Sequence, residues 1–411
     1  MRIPRNLADV DREWLNTALH GESSFPNPPL TGFSTEVIGE GIGFMGEVIR
    51  LKLAYETSHI QPSDDLLPDP QPDSRALAEP DYSLILKIPT QSDNRSIGEI
   101  LGVYEREVRF YSELQPEIRV RTPASYLTQM DEGGDPEKAL GLLKFFNRFP
   151  VKVIWWLFIL ARKIPPKERN YALLLEDLSS LRPGNQIDGC NMQDAKTALA
   201  GMAQLHAQYW NKPVADRFAW VIPLELGAKA GQAVFLDCLP RYIEANTKSL
   251  TARHLELLGW LKENAIKLFG VYNSLPSTLL HGDFRLDNIF FDDTKSEIVL
   301  CDWQTLMNGP AGLDLAYFLS ASLGSDSSDD HISELIGFYR EQLAGHGIEI
   351  DQKTLEWSYH AGMLIILHKV IPAEYQDMLE LEGDRGHQLA VTWIERILHK
   401  LEGLDLDGVF K

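Results

Sequence analysis

The stretch that most constrains the fold is Leu279-Leu280-His281-Gly282-Asp283-Phe284-Arg285-Leu286-Asp287-Asn288-Ile289-Phe290-Phe291, followed by Ile298-Val299-Leu300-Cys301-Asp302-Trp303-Gln304. Two apolar runs flank a polar loop and a charged turn. Ile289 to Phe291 reads as a short strand, Asp292 to Glu297 as a turn and Ile298 to Cys301 as the returning strand. Asp283 and Asn288 stand five residues apart across a tight loop opened by Gly282, so both side chains face one pocket. The hairpin then carries Asp302 back beside Asn288. This is the layout that phosphoryl transfer needs: one carboxylate takes or orients the proton of an attacking hydroxyl, while an amide oxygen and a second carboxylate hold magnesium against the phosphates. Magnesium keeps water and phosphate oxygens in its shell, so one Asn and one Asp suffice from the protein.

Upstream, a strand at Phe33 to Ile38 leads into Gly41-x-Gly43-x-x-Gly46. A dinucleotide-binding fold would open a helix here, whereas Val48 to Leu53 continue with strand alternation. Strand, glycine loop and strand predict a hairpin lid over phosphates, whose glycines let backbone amides approach closely; a plain glycine-rich hairpin is the other reading. Tyr82 to Pro89 reads as a buried strand carrying a single lysine, Lys87. Such a lysine needs a partner. The next helix has Tyr104, Val108, Tyr111 and Leu114 as its apolar stripe, with Glu107 on the stripe and Glu105 turned away. An inward Lys87–Glu107 pair that positions ATP phosphates follows, the alternative being a Lys87 that snorkels out at the strand end. Further strands are predicted at Ala124 to Gln129 and Tyr171 to Leu178. The polar break after the second is where a sheet lobe hands over to a helical one, and a nucleotide base would pair with main-chain groups near Glu176 and Leu178.

The chain has 411 residues, 44% of them hydrophobic and 24% charged, enough to bury a large core in two lobes or domains. Its formal net charge of -20 argues against nucleic-acid binding; it fits either a cationic acceptor or simple solubility. Three cysteines without metal-ligand spacing suit a reducing compartment. With no signal-like N-terminus, the expected location is cytoplasmic. Residues 56–81 are proline-rich and acidic and read as a solvated loop inserted in the sheet. Residues 144–163 are apolar with basic flanks, and the continuous apolar part falls short of the about 20 residues a membrane span needs. Three readings stay open for it: a core helix, an interfacial helix giving peripheral membrane contact through 145–160, or a greasy flap over an acceptor pocket. Helices are expected from Ala195 to Trp210, with His206 a satisfied core histidine, and then through most of the remaining chain. Asp314, at the start of a helix, is expected to brace the catalytic loop. Asp326, Asp329, Asp330, Glu374 and Asp377 read as a solvated acidic surface before a cationic acceptor site.

Taken in order, Gly41-x-Gly43-x-x-Gly46, Lys87, Glu107, Leu174-Leu175-Glu176-Asp177-Leu178, Leu205-His206-Ala207, His281-Gly282-Asp283-x4-Asn288 and Asp302-Trp303-Gln304 resemble the aminoglycoside phosphotransferase and choline kinase superfamily, most closely its ecdysteroid kinase-like branch. The resemblance runs from about Phe33 to Leu319. It implies an α+β, bilobal protein-kinase-like fold: a small antiparallel sheet lobe over 1–177, with insertions near 56–81 and 134–170, and a larger, mainly helical lobe over 178–411. It further implies ATP and magnesium (Mg2+) as cosubstrate and cofactor, and transfer to the hydroxyl of a small molecule. Carried over residue by residue, Asp283 is the catalytic base, Asn288 and Asp302 bind magnesium, Lys87 meets the ATP phosphates with Glu107 holding it, and His281 braces the loop. The two insertions exceed what a minimal member needs, and the family name does not supply the acceptor. Trp155, Trp156 and Phe158 favour a partly apolar one. A nucleotide-binding pseudokinase or scaffold is the alternative; the intact Lys87, Asp283, Asn288 and Asp302 set speaks against it. A protein kinase is disfavoured because Gly282 stands where those enzymes usually have Arg.

Overall fold

Alternation along Tyr82–Pro89 separates two environments. Leu84, Leu86 and Ile88 are buried in an outer core, while Ile85 and Lys87 turn to the opposite face, as a strand's period of two requires. In the computed structural model, which describes residues 1–22, 24–25, 29–38, 46–55, 82–92, 94–161, 166–323, 328–375 and 384–410, this strand is the middle of a five-stranded sheet. Strands β1 (Leu30–Ile38), β2 (Gly46–Tyr55), β3 (Tyr82–Pro89), β4 (Ser125–Met130) and β5 (Tyr171–Glu176) lie in the order β1-β2-β3-β5-β4, every neighbouring pair antiparallel. Lys87 sits opposite Val48 on one side and Leu173 on the other. A strand therefore follows the glycines, as the alternation predicts. Gly41, Gly43 and the 56–81 insertion lie outside the described residues, as do Asp326 and Asp377.

The sheet's outer face is covered by α1 (Arg12–Ala18), whose start is capped by Asp11 accepting from Trp14 N at 2.7 Å. Val10, Trp14, Leu15 and Leu19 pack there with Ile49, Leu51, Leu84, Leu86 and Leu174. The inner face meets α2 (Asn94–Leu101) and α3 (Val103–Arg109), which runs on into a π-helical turn at Phe110–Leu114. Tyr104, Glu107, Val108, Tyr111 and Leu114 are all buried on that stripe, and Glu105 instead pairs outward with Arg109 and Arg169.

Between β4 and β5 the chain forms a helical pair, α4 (Pro136–Phe146) and α5 (Val151–Ala161). The core-helix reading of this segment is corrected: no described side chain of α5 is fully buried. Beyond the sheet come α6 (Met192–Tyr209), α7 (Val214–Arg217), α8 (Leu224–Ala245), α9 (Ala252–Tyr272), α10 (Gly312–Ser322), α11 (Asp329–Gly345), α12 (Gln352–Tyr375) and α13 (Asp384–Lys400). Among them are set the short strands β6 (Arg182–Pro183), β7 (Ser277–Leu280), β8 (Ile289–Asp292), β9 (Glu297–Leu300) and β10 (Met307–Pro310), paired as β6-β8-β9 and β10-β7. The architecture is α+β, bilobal and kinase-like: a small antiparallel sheet lobe and a larger, mainly helical one. Strand β10 is not legible in Met-Asn-Gly-Pro, whose β propensity is poor; it exists because Met307 to Pro310 pair with Leu280 to Ser277. Among the described residues no helix is long and apolar enough to cross a membrane.

Candidate active site

The loop after β7 is held from below. Gly282 has φ +80, and a Cβ there would collide with the carbonyl oxygen of Thr305, so only glycine suits the position. The backbone N–H groups of His281 and Gly282 donate to the two oxygens of Asp314, at 2.7 and 2.9 Å, from within a fully buried pocket. Asp314 also accepts from His206 Nε2 at 3.2 Å, and His206 Nδ1 accepts from Tyr339 OH at 2.7 Å. Asp314 thus braces the loop and His206 is a satisfied core histidine, as the sequence suggests. The His281 ring bridges the loop to the hairpin: Nδ1 accepts from Asp283 N at 3.3 Å and Nε2 donates to Cys301 O at 3.0 Å.

These restraints deliver Asp283 into a ring of donors. Arg285 Nε donates to Asp283 Oδ2 at 3.2 Å, Asn288 Nδ2 donates to the same oxygen at 2.9 Å, and Tyr317 OH from α10 donates to Oδ1. Burial alone would push the Asp283 carboxyl up, but the Arg285 charge, the Tyr317 hydroxyl, His281 and Asn288 bring it below the ordinary carboxylate value. Asn288 Nδ2 also donates to Asp283 O at 2.9 Å. With the nitrogen so used, the Asn288 oxygen is the atom left to meet a cation.

The hairpin β8–β9 brings Asp302 alongside, through Cys301 N donating to Asn288 O at 3.0 Å. Asp302 has φ +64, a left-handed conformation that few non-glycine residues adopt. Lys87 Nζ lies 2.6 Å from Glu107 Oε1 and 3.4 Å from Asp302 Oδ1. Burial lowers the lysine's pKa, but Asp302 and Glu107 outweigh it and hold the ammonium charged. Burial raises the pKa of Glu107, with Lys87 opposing and Asp302 reinforcing. The second Glu107 oxygen accepts from Gln304 Nε2 at 3.1 Å, and Gln304 O accepts from Arg106 Nη1 at 2.5 Å. Trp303 stacks on Phe110 with centroids 4.0 Å apart.

Lys87, Glu107, Asn288 and Asp302 line one cavity of about 290 Å³, roofed by Val48 and Ile85, with Glu176 and Leu178 at the lobe junction. The Glu176 side chain is already engaged, by Arg121 at 3.2 Å and Ala124 N at 3.0 Å, so it is main chain here that is left for a ligand. Gly46 opens β2 opposite Pro89, and a Cβ on it would lie 3.3 Å from Ile88 O. The donor set of Asn288 and Asp302 is hard oxygen and suits magnesium. Among the described residues no group of three or more His, Cys, Asp or Glu could hold a metal ion.

Residues 228–350 match the family described as Ecdysteroid kinase-like. That stretch contains Asp283, Asn288 and Asp302 and excludes Lys87 and Glu107. In the solved structures, choline kinase from Cryptosporidium parvum Iowa II is similar at a TM-score of 0.52, with 12% identity over 97% of this chain and 98% of that one. Plasmodium vivax ethanolamine kinase gives 0.49, with 12% identity over 93% and 86%. The GDP complex of an aminoglycoside 2'-phosphotransferase gives 0.49, with 14% identity over 96% and 99%. No curated protein matches the chain. The choline kinase likeness shows a shared fold, and the ecdysteroid kinase-like match falls on the hairpin that joins Asn288 to Asp302.

Within that ecdysteroid kinase-like stretch, sequence reasoning missed Tyr317 and left Arg285 and Gln304 without a role. Arg285 faces Asp283 and, at 3.7 Å, Asp287, whose other oxygen accepts from Gln186 N at 2.9 Å. Gln304 carried a signal, its place directly after Asp302-Trp303. Tyr317 carried none, since its bond to Asp283 spans 34 positions of sequence.

Proposed function

We propose that the chain is an ATP- and Mg2+-dependent phosphotransferase that phosphorylates a hydroxyl of a small molecule. The observation that carries this reading is the convergence, from four separate parts of the chain, of Lys87, Glu107, Asn288 and Asp302 on one cavity, with Asp283 hydrogen-bonded to Asn288 behind it. A scaffold that only binds nucleotide has no use for an ionised carboxylate kept at the end of that series.

In this reading the lobe of 1–177 takes the nucleotide, with the glycines at 41, 43 and 46 over its phosphates, Lys87 charged against them and the base edge at the main chain near Glu176 and Leu178. The lobe of 178–411 takes the acceptor. Asn288 and Asp302 would hold the magnesium, which neutralises phosphate charge when bound. Asp283, kept ionised near neutrality, accepts the acceptor's hydroxyl proton. Arg285 and Tyr317 hold its carboxylate in place, and His281 and Asp314 hold its backbone. A partly apolar acceptor was suggested by Trp155, Trp156 and Phe158. The three lie on α5, away from the cavity read here as the nucleotide site, and the proposal names only a hydroxylated small molecule.

The test is ADP formation from ATP across amino alcohols, aminoglycosides, macrolides, sterols and nucleosides, with and without EDTA. Acceptor-dependent turnover is expected, abolished by chelation and reduced by about 10² to 10⁴ in Asp283→Asn, the contribution of a proton-transfer group. Turnover unchanged in Asp283→Asn would remove that residue from its role. Nucleotide binding without transfer to any acceptor would favour the scaffold.

A further inference from the structure

Helices α4 and α5 carry an apolar face that no described residue covers. On α5, Val153, Trp156, Leu157 and Leu160 are 39, 68, 37 and 55% exposed; their spacing of i, i+3, i+4 and i+7 puts them on a single stripe. Leu142, Leu143 and Phe145 of α4 are exposed as well. Both helices are firmly placed. Asp135 caps α4 with Pro136 in its first turn, Leu140 is buried, and Lys229 of α8 donates to Asn147 O and Phe149 O at 2.6 and 3.0 Å across the α4–α5 turn. The exposed stripe thus sits on helices that the packing on α8 holds in place.

The charge around it is the second observation. From Lys138 to Lys163 the sequence has six Lys or Arg and no Asp or Glu, within a chain whose net charge is -20. Lys138, Lys144, Arg148 and Lys152 are exposed. We propose that α4 and α5 dock on an anionic membrane surface, with the stripe in the acyl boundary and the basic residues at the headgroups. Outward Trp, Leu and Phe flanked by Lys and Arg are what such an interface selects. Eleven residues of α5 cannot span a bilayer, so the contact is peripheral. A second copy of the chain fits poorly, because pairing this face with itself would bring Lys144, Arg148 and Lys152 against their own like charges. The inference does not depend on what the cleft catalyses.

The experiment is flotation of the full chain with phosphatidylcholine vesicles, with and without phosphatidylserine. Binding is expected to the phosphatidylserine vesicles and to fall as salt is raised. Trp156→Ser with Leu160→Ser, both at exposed positions, should abolish it while circular dichroism and the melting temperature stay unchanged. Lys144→Glu with Lys152→Glu should weaken it at least about 25-fold, at roughly fivefold for each basic residue near an anionic surface. No flotation with either vesicle, or equal flotation with both, overturns the proposal. So does a concentration-dependent dimer in sedimentation that Trp156→Ser with Leu160→Ser dissolves.

Discussion

Replacing Asp314 with alanine removes an acceptor that two backbone donors of the loop after β7 share. His281 N and Gly282 N lie 2.7 and 2.9 Å from its oxygens, and no part of Asp314 or His281 reaches solvent. Water cannot take over, so each donor loses a charge-assisted bond worth about 1.5–3 kcal/mol. The pair comes to about 3–6 kcal/mol, a large share of the about 5–15 kcal/mol that holds a folded protein together. Asp314→Asn keeps one oxygen for one donor but turns its NH2 towards the other, and should cost at least about 1.5 kcal/mol. Urea unfolding gives the global figure. Because two lobes can unfold in separate steps, amide hydrogen exchange of the peptide covering 279–285 locates the loss. The expected order is wild type, then Asn, then Ala, with exchange accelerated in that peptide. A cost below about 1 kcal/mol with unaltered exchange there would refute the bracing argument.

Three further outcomes are expected. Tyr317→Phe deletes one of the bonds that hold the Asp283 carboxyl down. Wild-type activity should persist as pH falls until it passes that depressed value, and the acid limb of kcat/KM should move upward by roughly one pH unit or more in the variant; an unmoved limb would take Tyr317 out of the site. Lys87→Met strands Glu107 and should cost about 3–5 kcal/mol, whereas Lys87→Met with Glu107→Leu should recover much of it; strictly additive losses in the urea midpoints would deny the coupling. Gly282→Ala should destabilise and inactivate, because it strains a positive φ against Thr305 O, while Gly270→Ala in α9, with nothing within 4 Å of its Cβ, should be neutral or stabilising. Equal melting temperatures for the two glycine variants would contradict this.

What could be read from the sequence was local. The hairpin that joins Asn288 to Asp302 has strand, turn and strand within 15 positions, and alternation along β3 fixes the side to which Lys87 points. Glu107 followed from its place on one helical stripe. The contacts that escaped are those between elements far apart in the chain. Tyr317 meets Asp283 only because α10 packs beneath the loop, and β10 forms only because β7 is there to pair with it. The 144–163 segment was ambiguous for a different reason. Its composition is that of a core helix, and only the packing on α8 decides which face is left over.

One consequence follows from the way α3 is fastened to the Asp302 loop. Glu107 to Gln304 Nε2, Arg106 to Gln304 O and Phe110 on Trp303 are three independent ties between the same two pieces of chain. Kinase-like proteins controlled by swinging this helix spend part of their time with the lysine–glutamate pair apart, and every nucleotide affinity they show is diluted by that fraction. Here the pair stands at 2.6 Å. Opening that pair by moving this helix would have to break all three ties together, so loosening any one of them, at Arg106, Gln304 or Trp303, should also loosen the grip of Glu107 on Lys87.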